Sequence, residues 1–336
     1  MSIRSKIALN KFMVIGRAGM DVYPDPPGTK TEDATHFFAC LGGSSANIAV
    51  AITRHGGKAA LVTRVSDDSI GRFAVNELKK YGVNTAHVHS EGGEARNSLA
   101  VVESRVEDHQ SVIYRNGAAD FQMTAKDVKA IDYGAYGALI TTGTVFAAEP
   151  SRSAAFLAFD LAKKAGLPII FDIDYRPYSW PSAKVAAEVY SRAGRLCDIV
   201  IGNDDEFGFM AGGKEKGLDF ARALAKSSAS VVVYKMGEFG AITITPEAEF
   251  KTGIYRVKAL KPTGAGDAFM GGFISSYANG FSLESCVQRG AASAAIVVSK
   301  VGCAPAMPTT PELNQFLANH SGLSEPERNQ NAYRPV

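Results

Sequence analysis

Most of the chemistry is concentrated in one short stretch, Pro262-Thr263-Gly264-Ala265-Gly266-Asp267-Ala268-Phe269, which opens the apolar run FMGGFISSYA. Glycine at 264 and 266 lets consecutive amides turn toward one point, and a helix beginning there adds the positive end of its dipole. Negative charge collects at such a cradle. Asp267 falls in the first turn of that helix, within reach of a hydroxyl held against the cradle, and can take its proton. The combination reads as phosphoryl transfer, with the amides of Gly264, Ala265 and Gly266 stabilising the moving group. The same residues would also make an ordinary glycine-rich loop with a helix-capping aspartate, so other segments must decide. A second glycine pair, Gly42-Gly43, precedes Ser44, Ser45, Ala46 and Asn47 at the mouth of another helical stretch. Two cations stand apart from these loops. Arg176 follows the strand-like PIIFDIDY, at the carboxyl end where open α/β sheets bind ligands, and Tyr114 and Arg115 lie in SVIYRNG. A guanidinium suits a carboxylate at either place. Arg176 would equally form a strand-end salt bridge with Asp172 or Asp174.

The elements that must hold these groups follow a regular rhythm. FMVIG, SANIAVAITRHG, ALVTRV and IGRFAVNELKKYG alternate strand with helix. The rhythm returns in ALITTG (138 to 143), SAAFLAFDLAKKAG, PIIFDIDY (168 to 175), a helix through VAAEVYSRAG, DIVIGN (198 to 203) and SVVVYKMG (230 to 237). Strand alternating with helix implies a parallel sheet with crossovers. HFFACLGG (36 to 43) and the pair SLAVVES and SVIYRNG break the pattern, and read as a small antiparallel sheet. Inserted into an α/β body, that sheet would act as a lid that excludes water from phosphoryl transfer. Lid segments are expected at about residues 20–43 and 96–118 of one domain spanning 12–320. The polar, aperiodic SGLSEPERNQNAYRPV (321 to 336) is expected to be a frayed tail.

Composition narrows the function classes. The 336 residues are 46% hydrophobic and 21% charged, enough for one large globular domain. With 36 basic and 34 acidic side chains, the net charge of +2 creates no field for nucleic acid. Cys40, Cys197, Cys286 and Cys303 are too scattered for a metal site and read as buried thiols in a reducing compartment. The N-terminus has no secretory apolar core, and no later run is long enough to cross a bilayer, so a cytoplasmic protein without membrane partners is expected.

Together with GRAGMD (16 to 21), DDSIG (67 to 71), NDDE (203 to 206) and KMGEFG (235 to 240), the two glycine loops resemble those of the ribokinase, or PfkB, family of sugar kinases. The resemblance runs in order from about residue 12 to about residue 310. It implies a ribokinase-like α/β fold, a parallel sheet with helices on both faces and a small β lid, and it implies ATP and Mg2+ as cofactors. By the same resemblance Asp21, Gly42, Gly43 and Asn47 bind sugar hydroxyls, and Asp267 is the catalytic base beside the amides of Gly264, Ala265 and Gly266. Asn203 and Glu206 organise magnesium and phosphate, largely through water. Lys235, Gly237 and Gly240 pass beneath the nucleotide, Thr263 lines its phosphates, and GCAPAMP (302 to 308) wraps the adenine. Many relatives carry an aspartate two residues before the TGAGD threonine, in a loop that binds a monovalent cation. Here that residue is Lys261, whose ammonium is expected to replace the ion.

The general motifs do not select a sugar. Tyr114, Arg115 and Arg176 resemble positions at which acid-sugar kinases of the family hold their substrate. FDIDYRPYSW together with KPTGAGDAF is most similar to the branch that phosphorylates the 6-hydroxyl of 5-dehydro-2-deoxy-D-gluconate in myo-inositol catabolism. The alternatives are 2-keto-3-deoxygluconate, another sugar such as fructose, or a catalytically silent sensor of sugar acid and nucleotide. A dehydrogenase is excluded, because GRAGMD lacks GxGxxG and leads toward the flap rather than a helix. The apolar lid residues, His36, Phe37, Phe38, Leu99, Val101 and Val112 among them, imply a homodimer paired through the lids.

Overall fold

The structure is a computed structural model that describes residues 2–320 and 322–323. The polar tail expected at 321–336 otherwise lies outside the described residues. The strands are, in chain order, β1 (Lys11–Ile15), β2 (Gly19–Asp25), β3 (His36–Gly42), β4 (Lys58–Ser66), β5 (Asn84–Glu91), β6 (Ser98–Val102) and β7 (Ser111–Tyr114). They continue with β8 (Ala138–Thr142), β9 (Ile169–Asp172), β10 (Ile199–Asn203), β11 (Val231–Lys235), β12 (Ala241–Ile244) and β13 (Glu249–Thr252).

Nine strands form one sheet in the order β13-β12-β11-β10-β9-β8-β1-β4-β5. All its pairings are parallel except β11 with β12 and β12 with β13. Apolar side chains fill both faces, which is why the central strands read as continuous hydrophobic runs. In β1, Met13 and Ile15 face one core, with helices Ser151–Lys164 and Ala183–Gly194, while Phe12 and Val14 face the other, with helices Ser44–Arg54 and Ala265–Ala278. The carboxyl ends of β1, β8, β9, β10 and β11 therefore open at one edge, where side chains are free of the sandwich. The β12–β13 hairpin and β5 were not foreseen. Short, partly polar strands such as EFKT and NTAHVHSE carry little periodic signal.

The second sheet has the order β3-β2-β6-β7. Its outer pairs are antiparallel, while the central β2–β6 pair is parallel, because the two halves enter from separate insertions. One face carries Asp21, Tyr23, Cys40, Ala100 and Val102, all buried against the body. Side-chain alternation turns Met20, Val22, Leu99, Val101, Val112 and Tyr114 to the opposite face. Among the described residues no helix is long and apolar enough to cross a membrane. All four cysteines are buried and unpaired.

Candidate active site

The phosphate-binding end is built from backbone. Helix Ala265–Ala278 starts from Gly264, whose φ of +86° is left-handed and whose absent Cβ would lie 2.7 Å from Cys303 Sγ. Only glycine fits there. The first amides of a helix have no partner within it, so those of Ala265, Gly266 and Asp267 are available to an anion. Lys235, at the end of β11, approaches the same loop: a Cβ on Gly266 would sit 3.5 Å from its Nζ. Lys261 is wholly buried, and its ammonium donates to the carbonyls of Thr263 at 2.7 Å and Val297 at 3.3 Å. Carbonyl oxygens are also what a monovalent cation recruits, which is the setting expected of an ammonium that replaces such an ion.

Asp267 and Asn47, the expected base and the expected sugar-binding amide, meet through a helix contact. Asn47 Nδ2 donates to Asp267 Oδ2 at 2.8 Å. Four residues along each helix, Gly271 meets Ala51, and a Cβ at 271 would lie 2.2 Å from the Ala51 Cβ. This close crossing brings the two helix starts together. Burial, followed by the negative charge of Asp174, pushes Asp267 up to about 7. A carboxylate poised near neutrality is suited to accept a hydroxyl proton.

At the sugar end, Asp21 is 4% exposed and packs on bare backbone, since a Cβ at Gly42 would stand 1.9 Å from its Oδ1. Gly43, at φ +98°, likewise leaves room for the carbonyl of Arg17. Asp21 Oδ1 and Asn47 Oδ1 are buried acceptors with no hydrogen-bond partner. Orphaned acceptors of this kind are costly unless a ligand supplies donors, and sugar hydroxyls do.

Along the strand ends lies a set of acids. Asp172 ends β9 and Asp174 follows it, holding a φ of +39°, a strained conformation for aspartate. Burial acts to raise Asp174, yet Arg176 at 2.9 Å and a bond from Ser44 keep it below the usual carboxylate range. Burial raises Asp172, and the charges of Glu206, Asp174 and Asp267 add to the effect. Glu206 completes a capping box with Asn203 at the start of helix Asp204–Ala211: Asn203 N donates to its Oε2 at 2.7 Å, and Tyr175 N donates to Oε1 at 3.2 Å. Among the described residues no three His, Cys, Asp or Glu side chains converge as a ready-made metal shell.

The arginines are placed differently from the simplest expectation. Arg176 forms the strand-end salt bridge with Asp174 and is half exposed. Arg115 is buried, paired with Asp120, bonded to the carbonyl of Thr144 at 3.0 Å and stacked over Phe121; only its Nε lacks a partner. Tyr114 does not reach the site. Strand alternation turns it away from Arg115, and it is 61% exposed on the outer lid face. Gly237 and Gly240, with φ of +56° and +81°, shape the β11–β12 turn, and a Cβ at 240 would meet the Thr252 carbonyl at 2.0 Å. Thr263 Oγ1 lies 3.2 Å from Nε2 of His109, a residue of the β6–β7 loop that sequence reading missed. Sequence reading offers Asp174 only as one possible partner of Arg176, and does not single out Arg17.

A buried carboxyl between two glycine loops, beside orphaned acceptors, is joined by a match to a known family. The pfkB family carbohydrate kinase model covers residues 9–310. The chain belongs to the pfkB family of carbohydrate kinases. It is 36% identical to 5-dehydro-2-deoxygluconokinase of Photobacterium profundum, covering 93% of this chain and 98% of that one. The enzyme of the same name from Geobacillus kaustophilus is 35% identical, over 92% and 94%. A crystal structure of a Vibrio cholerae fructokinase double mutant, in its fructose, ADP and potassium ion bound form, superposes with a TM-score of 0.80. It is 28% identical and covers 91% of this chain and 98% of that one.

Proposed function

We propose that this kinase transfers the γ-phosphoryl group of ATP to the 6-hydroxyl of 5-dehydro-2-deoxy-D-gluconate, as the two relatives' names suggest. The observation that carries the sugar-kinase chemistry is the Asn47–Asp267 pair, with its carboxyl tuned near neutrality beside free helix amides. Asp21 and Asn47 receive the sugar's hydroxyls through their orphaned oxygens. The acid end faces the cationic side of the cleft, where Arg115, bonded to Asp120 and the Thr144 carbonyl, and Arg176, paired through Nη2 with Asp174, contribute field. Asp267 accepts the proton of the attacking hydroxyl while the amides of Gly264, Ala265 and Gly266 and the Lys235 ammonium hold the transferring group's negative charge. Lid strands over the cleft exclude water.

Magnesium fits the residues present. Burial, with the charges of Glu206 and Asp267 adding to it, raises the cost of ionising Asp172, which a divalent cation would relieve. Since both Glu206 oxygens already accept backbone amides, Glu206 and Asn203 would hold the ion through water and phosphate oxygens. Bound there, the ion would neutralise phosphate charge.

The outer lid face, with Met20, Leu99, Val101, Val112 and Tyr114, supports a homodimer paired through its lids. Unpaired buried thiols accord with a cytoplasmic setting. Coupled ADP release with magnesium-ATP tests the reading. Strong preference for 5-dehydro-2-deoxygluconate over 2-keto-3-deoxygluconate, fructose and ribose is expected, and preference for a neutral sugar would overturn it.

A further inference from the structure

Arg17 occupies the turn between β1 and β2, four residues before Asp21. Its backbone is fixed: the carbonyl accepts the Ala46 amide at 3.2 Å, and a Cβ at Gly43 would press to 2.5 Å from that oxygen. Its side chain is 8% exposed, and its one hydrogen bond among the described residues runs from Nη1 to the buried Ser98 Oγ at 3.2 Å. Ser98 is placed there because β6 pairs in parallel with β2, Gly19 opposite Ser98. Nε and Nη2 are left over, and these form the edge of a guanidinium that grips a carboxylate with two parallel bonds.

This separates Arg17 from the two arginines named above. Arg176 and Arg115 already hold Asp174 and Asp120, whereas no carboxylate among the described residues lies within ion-pair distance of Arg17. Yet it is central. Burial is the largest influence on the carboxyls of Asp21, Asp174 and Asp267, and the Arg17 charge is among those opposing it at all three. A buried guanidinium with an unused bidentate edge, among the groups that flank the sugar, has the chemistry of a carboxylate receptor.

We propose that Arg17 is the specificity-determining cation of this kinase, its Nε and Nη2 edge taking the carboxylate of the sugar acid. The inference rests on the sugar-acid reading above. Its test compares wild type, Arg17→Met, Arg17→Lys and Arg176→Ala for 5-dehydro-2-deoxygluconate, fructose and ATP, with thermal melting alongside. Arg17→Met is expected to lower the kcat/KM preference for the acid over fructose by about 10- to 100-fold, as for loss of a charged hydrogen-bonded contact. The loss falls on KM more than kcat, KM for ATP stays within about two-fold, and Arg17→Lys recovers only part because it restores charge without the fork. Arg176→Ala costs less. Parallel loss for both sugars with a lowered melting temperature would mean that Arg17 only ties β2 to β6, and a larger effect of Arg176→Ala would return the role to that residue. Should Arg17→Met not fold, an unaltered preference in Arg17→Lys overturns the proposal. Wild type without acid preference would sink the substrate reading itself, and the role of Arg17 with it.

Discussion

The two ends of the cleft are made in opposite ways. At the proposed phosphate end the available groups are peptide amides of four consecutive residues, Gly264 to Asp267, shaped by a left-handed glycine beside the Lys261 ammonium. At the proposed sugar end they are side chains from four separate segments, Arg17 and Asp21, Asn47, Arg115, and Asp174 with Arg176, brought together by tertiary contacts. A reaction shared by many substrates is thus encoded locally and without side-chain variety. The choice of substrate is spread over distant residues that can change one at a time.

That contrast can be broken most forcefully at Asp267. Asp267→Asn is expected to cut kcat at least about 100-fold while KM for the sugar stays within a few-fold, as for a group used in the transition state. Equal damage to both in steady-state kinetics would move Asp267 from the reaction to the sugar site. Asp21→Ala should do the reverse, raising KM for the sugar roughly 10- to 100-fold through lost charged hydrogen bonds while sparing KM for ATP. If KM for ATP rose as much, the two ends would not be separable.

A subtler test uses proton equilibria. Because Asp267 is pushed up to about 7 by burial and then by Asp174, the base is ionised above that pH, and kcat/KM should fall as pH drops through it. Asp174→Asn removes a raising charge and frees Arg176, which lowers the same carboxyl, so both changes move the acidic limb downward. A pH–rate profile with an unmoved limb would show that the two carboxylates do not communicate. The smallest effect is expected from salt. With the Lys261 ammonium already bonded to the Thr263 and Val297 carbonyls, exchanging potassium for a bulky organic cation at fixed ionic strength should change activity less than about two-fold. A several-fold rise with potassium would mean that the loop still needs an ion.

The same contrast explains what could be read in advance. The glycine-led helix start, the carboxylate in its first turn and the parallel strands were legible because each is a contiguous pattern with a steric or periodic cause. Gly42 and Gly43 could be recognised as a loop, but not as the space that lets Asp21 and the Arg17 carbonyl approach. Tyr114 was assigned to the site and faces away, since one residue of strand register exchanges the faces. Arg176 was legible as a cation and its salt bridge with Asp174 as one of two strand-end pairings, but the positive φ of Asp174 had no glycine to announce it. Arg17 escaped notice because its meaning depends on β6 pairing beside β2, a contact about eighty residues away in the chain.

One short contact joins the two ends. His109 belongs to the loop between the lid strands β6 and β7, and Thr263 to the entrance of the phosphate cradle. Burial lowers the affinity of His109 for a proton, so the ring meets Thr263 as a neutral partner. A bond shared between lid and cradle is a term in a linkage. If sugar and nucleotide both tighten that bond, each would raise the affinity for the other by the same factor.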